Sequence, residues 1–214
     1  MKITLLYDNM PPLNEGLIAD WGFAALVSVG DGRNILFDTG ANGSILLNNM
    51  SLLGIEPASI GEIFISHPHL DHVGGLSLFL EHNNQVTVWI PPSLGKAIPA
   101  KEVVTITGPI TIHRGIFPTG ELEGIEQSLV VETPKGLVIL VGCSHPRMKN
   151  ILKTAARFGK VYGIVGGLHG TEPGSLKGMS LICAAHCTRH LPEIKYLYPE
   201  AYLSGGAGRV IEIE

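Results

Sequence analysis

The sequence predicts a mixed α/β (α+β) domain in which two sheets pack face to face with helices outside. Three observations carry this expectation. The early strands follow one another as antiparallel runs, the middle of the chain alternates strand and helix, and the same theme recurs toward the C-terminus. One domain over residues 1–214 follows from the length. A chain of this size buries roughly 70% of its unfolded surface, and no repeat or low-complexity linker divides it.

Residues 3–7 read as a first strand. Residues 23–29 and 34–38 read as two more, joined through Gly30, Asp31, Gly32 and Arg33, a hairpin-type turn. Ser44 stands before Ile45, Leu46, Leu47, Met50 and Leu53, whose spacing predicts a helix with a serine N-cap. Residues 62–66 are short and apolar, so they predict a buried strand. Gly74 and Gly75 precede a helix at 76–81, and Pro91 and Pro92 stop a strand at 86–90. Strands follow at 103–107, 128–133 and 137–143, the last two joined by a turn at Pro134, Lys135 and Gly136. A helix is expected at 150–158 and a strand at 161–165, ending in Gly166 and Gly167. A strand at 181–184, a helix at 189–197 and a strand at 209–213 complete the chain.

Composition excludes several classes. Hydrophobic residues at 45% and charged residues at 16% rule out a disordered chain. With 15 Lys and Arg against 19 Asp and Glu, the net charge of -4 argues against a phosphate-backbone binder, so no nucleic-acid partner is expected. Mean hydropathy is +0.28, yet no apolar run approaches about 18 residues, so no membrane association is expected. The N-terminus meets Asp8 too soon for a signal peptide. Cys143, Cys183 and Cys187 cannot all pair within the chain, in keeping with a reducing compartment and a cytoplasmic location. Length and composition leave the oligomeric state open.

The chemistry concentrates in histidines. His67, Pro68, His69, Leu70, Asp71 and His72 pack three imidazoles and a carboxylate into six positions. In extended backbone, side chains at i and i+2 share a side, so His67 and His69 can face one metal ion. Asp71 and His72 come as the chain turns toward Gly74 and Gly75, placed to serve a second metal. Such donors suit zinc, and also iron or manganese. His145, His169 and His186 each follow a predicted strand, where folds mount catalytic groups. His145 and His186 are candidate ligands, and His169 a candidate for a direct role. His82, His113 and His190 lack such contexts and read as surface or packing residues. Asp38, after an apolar strand, is a candidate to orient a ligand imidazole, with a turn-forming acid as the alternative.

Phe37, Asp38, Thr39 and Gly40, then residues 67–75, then the strand-end histidines, resemble the metallo-β-lactamase-fold superfamily across nearly the whole chain. Gly142, Cys143, Ser144 and His145, then Gly166, Gly167, Leu168 and His169, then His186, Cys187 and Thr188 resemble the subgroup labelled as similar to a dihydropterin ribofuranosyl-aminobenzene phosphate synthase. The resemblance implies an αββα four-layer sandwich with metals at one edge between the sheets. It implies that His67, His69 and His145 hold one metal and Asp71, His72 and His186 the other. Three departures stand out. Cys143 occupies the place of a bridging Asp, Arg189 stands where Gly commonly follows the His-Cys-Thr motif, and the segment from 169 to 186 is short for the subgroup. Cys143 is expected to pack as a small buried hydrophobe at its strand end, with ligation as a thiolate bridge the alternative.

The expected function is metal-dependent hydrolysis of a small-molecule ester, lactone or phosphoester. A metal-activated water would attack, Asp71 would ligate and orient, and His169 would assist an oxyanion or leaving group. Ser144 beside His145 is a sequence neighbour, which does not make a nucleophile triad. The rival readings are an iron-dependent redox or sulfur enzyme and a non-catalytic metal-binding regulatory module.

Overall fold

In the computed structural model, which describes residues 1–95 and 97–214, thirteen strands form two sheets. The first sheet takes β1 (Lys2–Tyr7), β2 (Ala24–Ser28), β3 (Asn34–Phe37), β4 (Glu62–Phe64), β5 (Thr87–Ile90) and β6 (Glu102–Thr105). The second takes β7 (Ile116–Pro118), β8 (Leu129–Thr133), β9 (Gly136–Val141), β10 (Val161–Gly167), β11 (Leu181–Ala185) and β12 (Tyr202–Ser204). The chain then returns as β13 (Val210–Glu212) to the free edge of β1, giving the order β13-β1-β2-β3-β4-β5-β6 against β12-β11-β10-β9-β8-β7. Each sheet is part antiparallel and part parallel. β1-β2-β3 and β7-β8-β9 pair antiparallel, while β3-β4-β5 and β9-β10-β11 pair parallel.

Side-chain alternation builds the layers. Ile3 and Leu5 of β1, Phe37 of β3, and Val138 and Leu140 of β9 point between the sheets. Phe37 stacks on Phe64 with ring centroids 5.5 Å apart. The opposite faces bury against helices. Leu6, Leu26, Leu36 and Ile63 meet Leu46 and Met50 of α1 (Gly43–Leu52) and Phe79 and Leu80 of a later helix. Ile139, Ile164 and Ile182 meet the helices of the second half through Ile151 and Ile194. The result is the helix–sheet–sheet–helix order the sequence predicts.

Two short helices follow one another after β4. They are α2 (Leu70–Val73), which the sequence reads only as a turn, and α3 (Leu76–His82). The second-sheet helices are α4 (Met148–Ala155) and α5 (Leu191–Leu197). Several expectations need correction. Asn42, not Ser44, caps α1, its side-chain oxygen accepting from the Ser44 N–H at 2.9 Å. Gly43 is needed there because a Cβ would lie 2.7 Å from Leu78 Cβ. The strand expected over 34–38 stops at Phe37, because Asp38 is left-handed at φ +54. The strand expected over 137–143 stops at Val141. The short strands β7 and β12 carry only three residues each, too few for a period-2 pattern to register. Between β10 and β11 lies only a 3₁₀ turn, Pro173–Leu176. Among the described residues no helix is long and apolar enough to cross a membrane.

Candidate metal centre

The two sheets converge at the carboxyl ends of β3, β4, β9, β10 and β11, where open α/β sheets bind ligands. Among the described residues, four of the five non-glycine residues with positive φ sit at these strand ends. They are Asp38 (+54) after β3, Ser144 (+59) after β9, His169 (+34) after β10 and His186 (+48) after β11. Left-handed backbone costs L-residues roughly 1–2 kcal/mol each, so the fold holds strain at the edge where it gathers its polar side chains.

Two donor sets meet there. His67, His69 and His145 form one; Asp71, His72, Cys143 and His186 form the other. Within each set the ligand atoms lie within 4.8 Å of one another. The rings of His67 and His72 are 4.1 Å apart between centroids, so the sets are adjacent. His67 Nε2 faces His69 Nδ1 at 3.1 Å. His186 Nε2 lies 3.1 Å from Asp71 Oδ2, and His72 Nε2 lies 3.2 Å from Cys143 Sγ. Cys143 is buried, as expected of a packed thiol, but its sulfur points into the second donor set.

The remote ring nitrogens are held by partners that fix the tautomers. Asp38, fully buried, accepts from the Ser66 N–H and Ser66 Oγ, each at 2.7 Å, and from His72 Nδ1 at 2.7 Å. Ser66 Oγ, having given its proton to Asp38, accepts from His67 Nδ1 at 2.9 Å. One carboxylate therefore places the proton on Nδ1 of His72 directly and of His67 through a hydroxyl, freeing both Nε2 lone pairs. His186 Nδ1 meets Asn9 Oδ1 at 2.8 Å, which likewise frees its Nε2. His145 Nε2 is buried with no hydrogen-bond partner among the described residues. An orphaned imidazole nitrogen among other imidazoles is what a metal site leaves when only protein atoms are counted, so the donor set fits a metal.

Electrostatics agree. Burial, reinforced by His72, His69 and His145, holds the His67 imidazole far below its ordinary value. Burial and the neighbouring His69 and His169 lower His145 to about 4. Both are neutral at pH 7. Burial opposes ionisation of Asp71, but the neighbouring His186 and His72 hold its carboxyl below the usual range. Burial likewise opposes protonation of His72, but Asp38 outweighs it and raises this imidazole. Without a cation, a hydrogen bond with Cys187 and burial push the Cys143 thiol up.

His169 stands beside the first set, its ring 5.1 Å from that of His145, and its Nδ1 is buried without a partner among the described residues. It belongs to neither donor set. His82, His113 and His190 lie elsewhere, with His113 engaged by Glu62 at 2.8 Å.

Like Ser66 and Asn9, three further supporting residues escape sequence reasoning. Glu126 is fully buried and accepts four backbone N–H groups, from Gly142, Cys143, Ser144 and His145, at 2.9–3.2 Å. It shapes the loop that carries one donor to each set. Burial pushes its carboxyl up, while those N–H groups and His72 oppose the shift. Asp8 accepts from the N–H groups of Met10, His186 and Gly206 at 2.8–3.1 Å, tying β1 to the His186 turn and the C-terminal segment. Trp21, 56% exposed, tilts against His186 with centroids 4.8 Å apart and forms an aromatic rim.

With this edge and these donors in place, comparison with known proteins defines the class. A family model described as the metallo-beta-lactamase superfamily matches residues 22–149, and the chain belongs to that superfamily. It is similar to 7,8-dihydropterin-6-methyl-4-(β-D-ribofuranosyl)-aminobenzene-5′-phosphate synthase of Methanocaldococcus jannaschii. The two are 27% identical over 99% of this chain and 96% of that protein. The crystal structure of a metal-dependent hydrolase of the β-lactamase superfamily matches with a TM-score of 0.78 at 26% identity, covering 100% of this chain and 99% of that one. Zinc-bound PqqB from Methylobacterium extorquens shares the fold, with a TM-score of 0.65 at 11% identity and full coverage of both chains.

Proposed function

We propose that the protein is a metal-dependent hydrolase acting on a small-molecule ester, lactone or phosphoester. In this reading His67, His69 and His145 hold one ion, and Asp71, His72, His186 and Cys143 hold the other. The observation that carries the reading is the pair of adjacent donor sets, in which the remote nitrogens of His67, His72 and His186 are already engaged. Imidazole, carboxylate and thiolate donors suit zinc, and iron or manganese remain chemically compatible. When bound, the metal supplies Lewis-acid polarisation and lowers the pKa of a bound water toward about 7.

The chain's own residues do the rest. Asp38 and Ser66 keep protons on the remote nitrogens of His72 and His67, so both rings present lone pairs. Asp71, ionised at neutral pH, both ligates and accepts a hydrogen bond from an attacking water. His169, with an unpaired Nδ1 beside His145, donates to a developing oxyanion or a leaving group. The Methanocaldococcus relative is named a synthase, so hydrolysis rests on the donor sets and on the similar metal-dependent hydrolase.

The Cys143 sulfur among the donors favours one rival, an iron centre performing redox or sulfur chemistry. Elemental analysis, an absorption spectrum and an ester panel separate the two. A colourless zinc protein whose ester turnover is lost on chelation supports the hydrolase. Bound iron with a charge-transfer band and no hydrolysis supports the rival.

A further inference from the structure

The chain between β1 and β2 passes beside the second donor set and places one aromatic side chain at its rim. Trp21 is 56% exposed, and its ring lies against that of His186 with centroids 4.8 Å apart. A scattered exposed apolar side chain needs no explanation, but this one is held from both sides. Before it, the buried Tyr7 donates its hydroxyl to the Asp20 carboxylate, and the Asp20 N–H donates to the Asp8 carbonyl at 3.3 Å. After it, the Phe23 N–H donates to the Asp71 carbonyl and the Gly40 N–H to the Phe23 carbonyl, each at 3.1 Å. Gly22, at φ +148, lies so close to Asp71 that a Cβ would come within 2.6 Å of its carbonyl oxygen. The indole is thus tied, through the backbone next to it, to a residue of the second donor set.

The indole is not needed to aim His186. Asn9 holds that residue twice, its Oδ1 accepting from Nδ1 at 2.8 Å and its Nδ2 donating to the His186 carbonyl at 3.3 Å, and Asp71 Oδ2 lies 3.1 Å from Nε2. An aromatic ring that is fixed in place, more than half open and in contact with a donor imidazole is a preformed surface for a ligand. Leu70 flanks the same set. It stands between the donors His69 and Asp71 and is 73% exposed, so the donor motif itself carries a large apolar side chain into solvent. An indole pairs with a flat aryl ring by offset or edge-on stacking, a gain beyond that of apolar area alone.

We propose that Trp21 and Leu70 are specificity-determining residues that seat a flat aryl group of the substrate at the rim of the second donor set, next to the bond to be cleaved. Neither side chain touches the reacting atoms. Together they favour a substrate that carries an aromatic ring over one that carries only a methyl group, because the ring removes apolar area of the indole from water that a methyl group leaves wet. The rim is already ordered, so little freedom is lost when the ring docks. That a bond is cleaved there rests on the hydrolase reading; the preference for an aryl group does not.

The test uses phenylphosphonate and methylphosphonate, which are not hydrolysed and differ only in the aryl ring. Binding to zinc-loaded protein is followed by calorimetry, with zinc content measured in each sample. The wild type is expected to bind phenylphosphonate about tenfold more tightly than methylphosphonate. Trp21→Ala brings that ratio close to one, Trp21→Phe restores most of it, and Leu70→Ser lowers it about threefold. Tyr196→Ala, at an exposed position of α5, keeps the wild-type ratio. Equal binding of the two by the wild type, binding of neither, or a ratio unmoved by Trp21→Ala overturns the proposal. Zinc lost from Trp21→Ala, with both phosphonates weakened alike, assigns the indole to holding His186 and also overturns it. Zinc-loaded protein is then given the methyl esters of phenylacetate and acetate. Trp21→Ala raises KM for the aryl ester about tenfold more than for methyl acetate. If neither ester turns over while the phosphonate ratio depends on Trp21, the hydrolase reading fails and the aryl seat stands. If both turn over with a KM ratio unmoved by Trp21→Ala, the aryl seat fails and the hydrolase reading stands.

Discussion

Asp38 is the residue on which both donor sets depend. Its carboxylate collects three donors, and through Ser66 and His72 it reaches one imidazole of each set. Asn at this position has one oxygen for those three donors and turns an amide N–H toward them. Asp38→Asn is expected to weaken metal at both sites, by about 10- to 100-fold, in competition with a chelator; weakening at one site only would break the proposed link. His67→Ala is expected to empty the first site and abolish turnover while the fold persists, whereas His82→Ala, on an exposed helix end, keeps full metal content. Glu126→Gln sets an amide N–H against a backbone N–H and is expected to cost about 1–3 kcal/mol in denaturant unfolding; an unchanged midpoint would mean that its four bonds are not holding the loop. These residues differ in how far the sequence discloses them. The histidines are legible because ligands cluster in a short motif or follow apolar strands. Glu126 and Asp8 are not, because they act on backbone N–H groups 16 to 19 and as many as 198 residues away, and such contacts leave no local pattern.

At the scale of elements, the strand ends carry the site and the strands supply its precision. Parallel strands β9, β10 and β11 register Val141 beside Gly166, and Gly166 beside Ala184, so the loops that follow start side by side. Gly166 is needed there, since a Cβ would meet the Val141 carbonyl at 1.9 Å. Gly142 is equally constrained by Ser66 Oγ at 2.2 Å. The long strands are legible because burial on both faces imposes continuous apolar runs. Helix starts were less so. The sequence points to a Ser44 cap, whereas the Asn42 side chain reaches two residues forward to cap α1, and α2 leaves no helical period because it is four residues of ligand-rich turn. Asn42→Ala is expected to lower stability by about 0.5–2 kcal/mol in thermal unfolding, without changing metal content, since α1 packs on the outer face of the first sheet.

At the scale of the molecule, the apolar clusters contain none of the metal-donor residues. The metal-free protein is therefore expected to remain folded near neutral pH. Its stability should fall as acid is added. An unfolded histidine takes a proton near 6.5, whereas folded His145 resists until about 4 and His67 lower still. Between those values the unfolded chain binds more protons, so stability rises with pH through that window and falls as pH drops through it. A flat stability profile from pH 4 to 7 in metal-free protein would count against the burial of these rings. The paired strand-end donor sets are the centre of the account, and diffraction from zinc-loaded crystals at the zinc absorption edge tests them most directly. Two anomalous peaks are expected, one among His67, His69 and His145, the other among Asp71, His72 and His186 with Cys143 Sγ about 2.3 Å away. Zinc bound elsewhere, or no peak at either set, would contradict it.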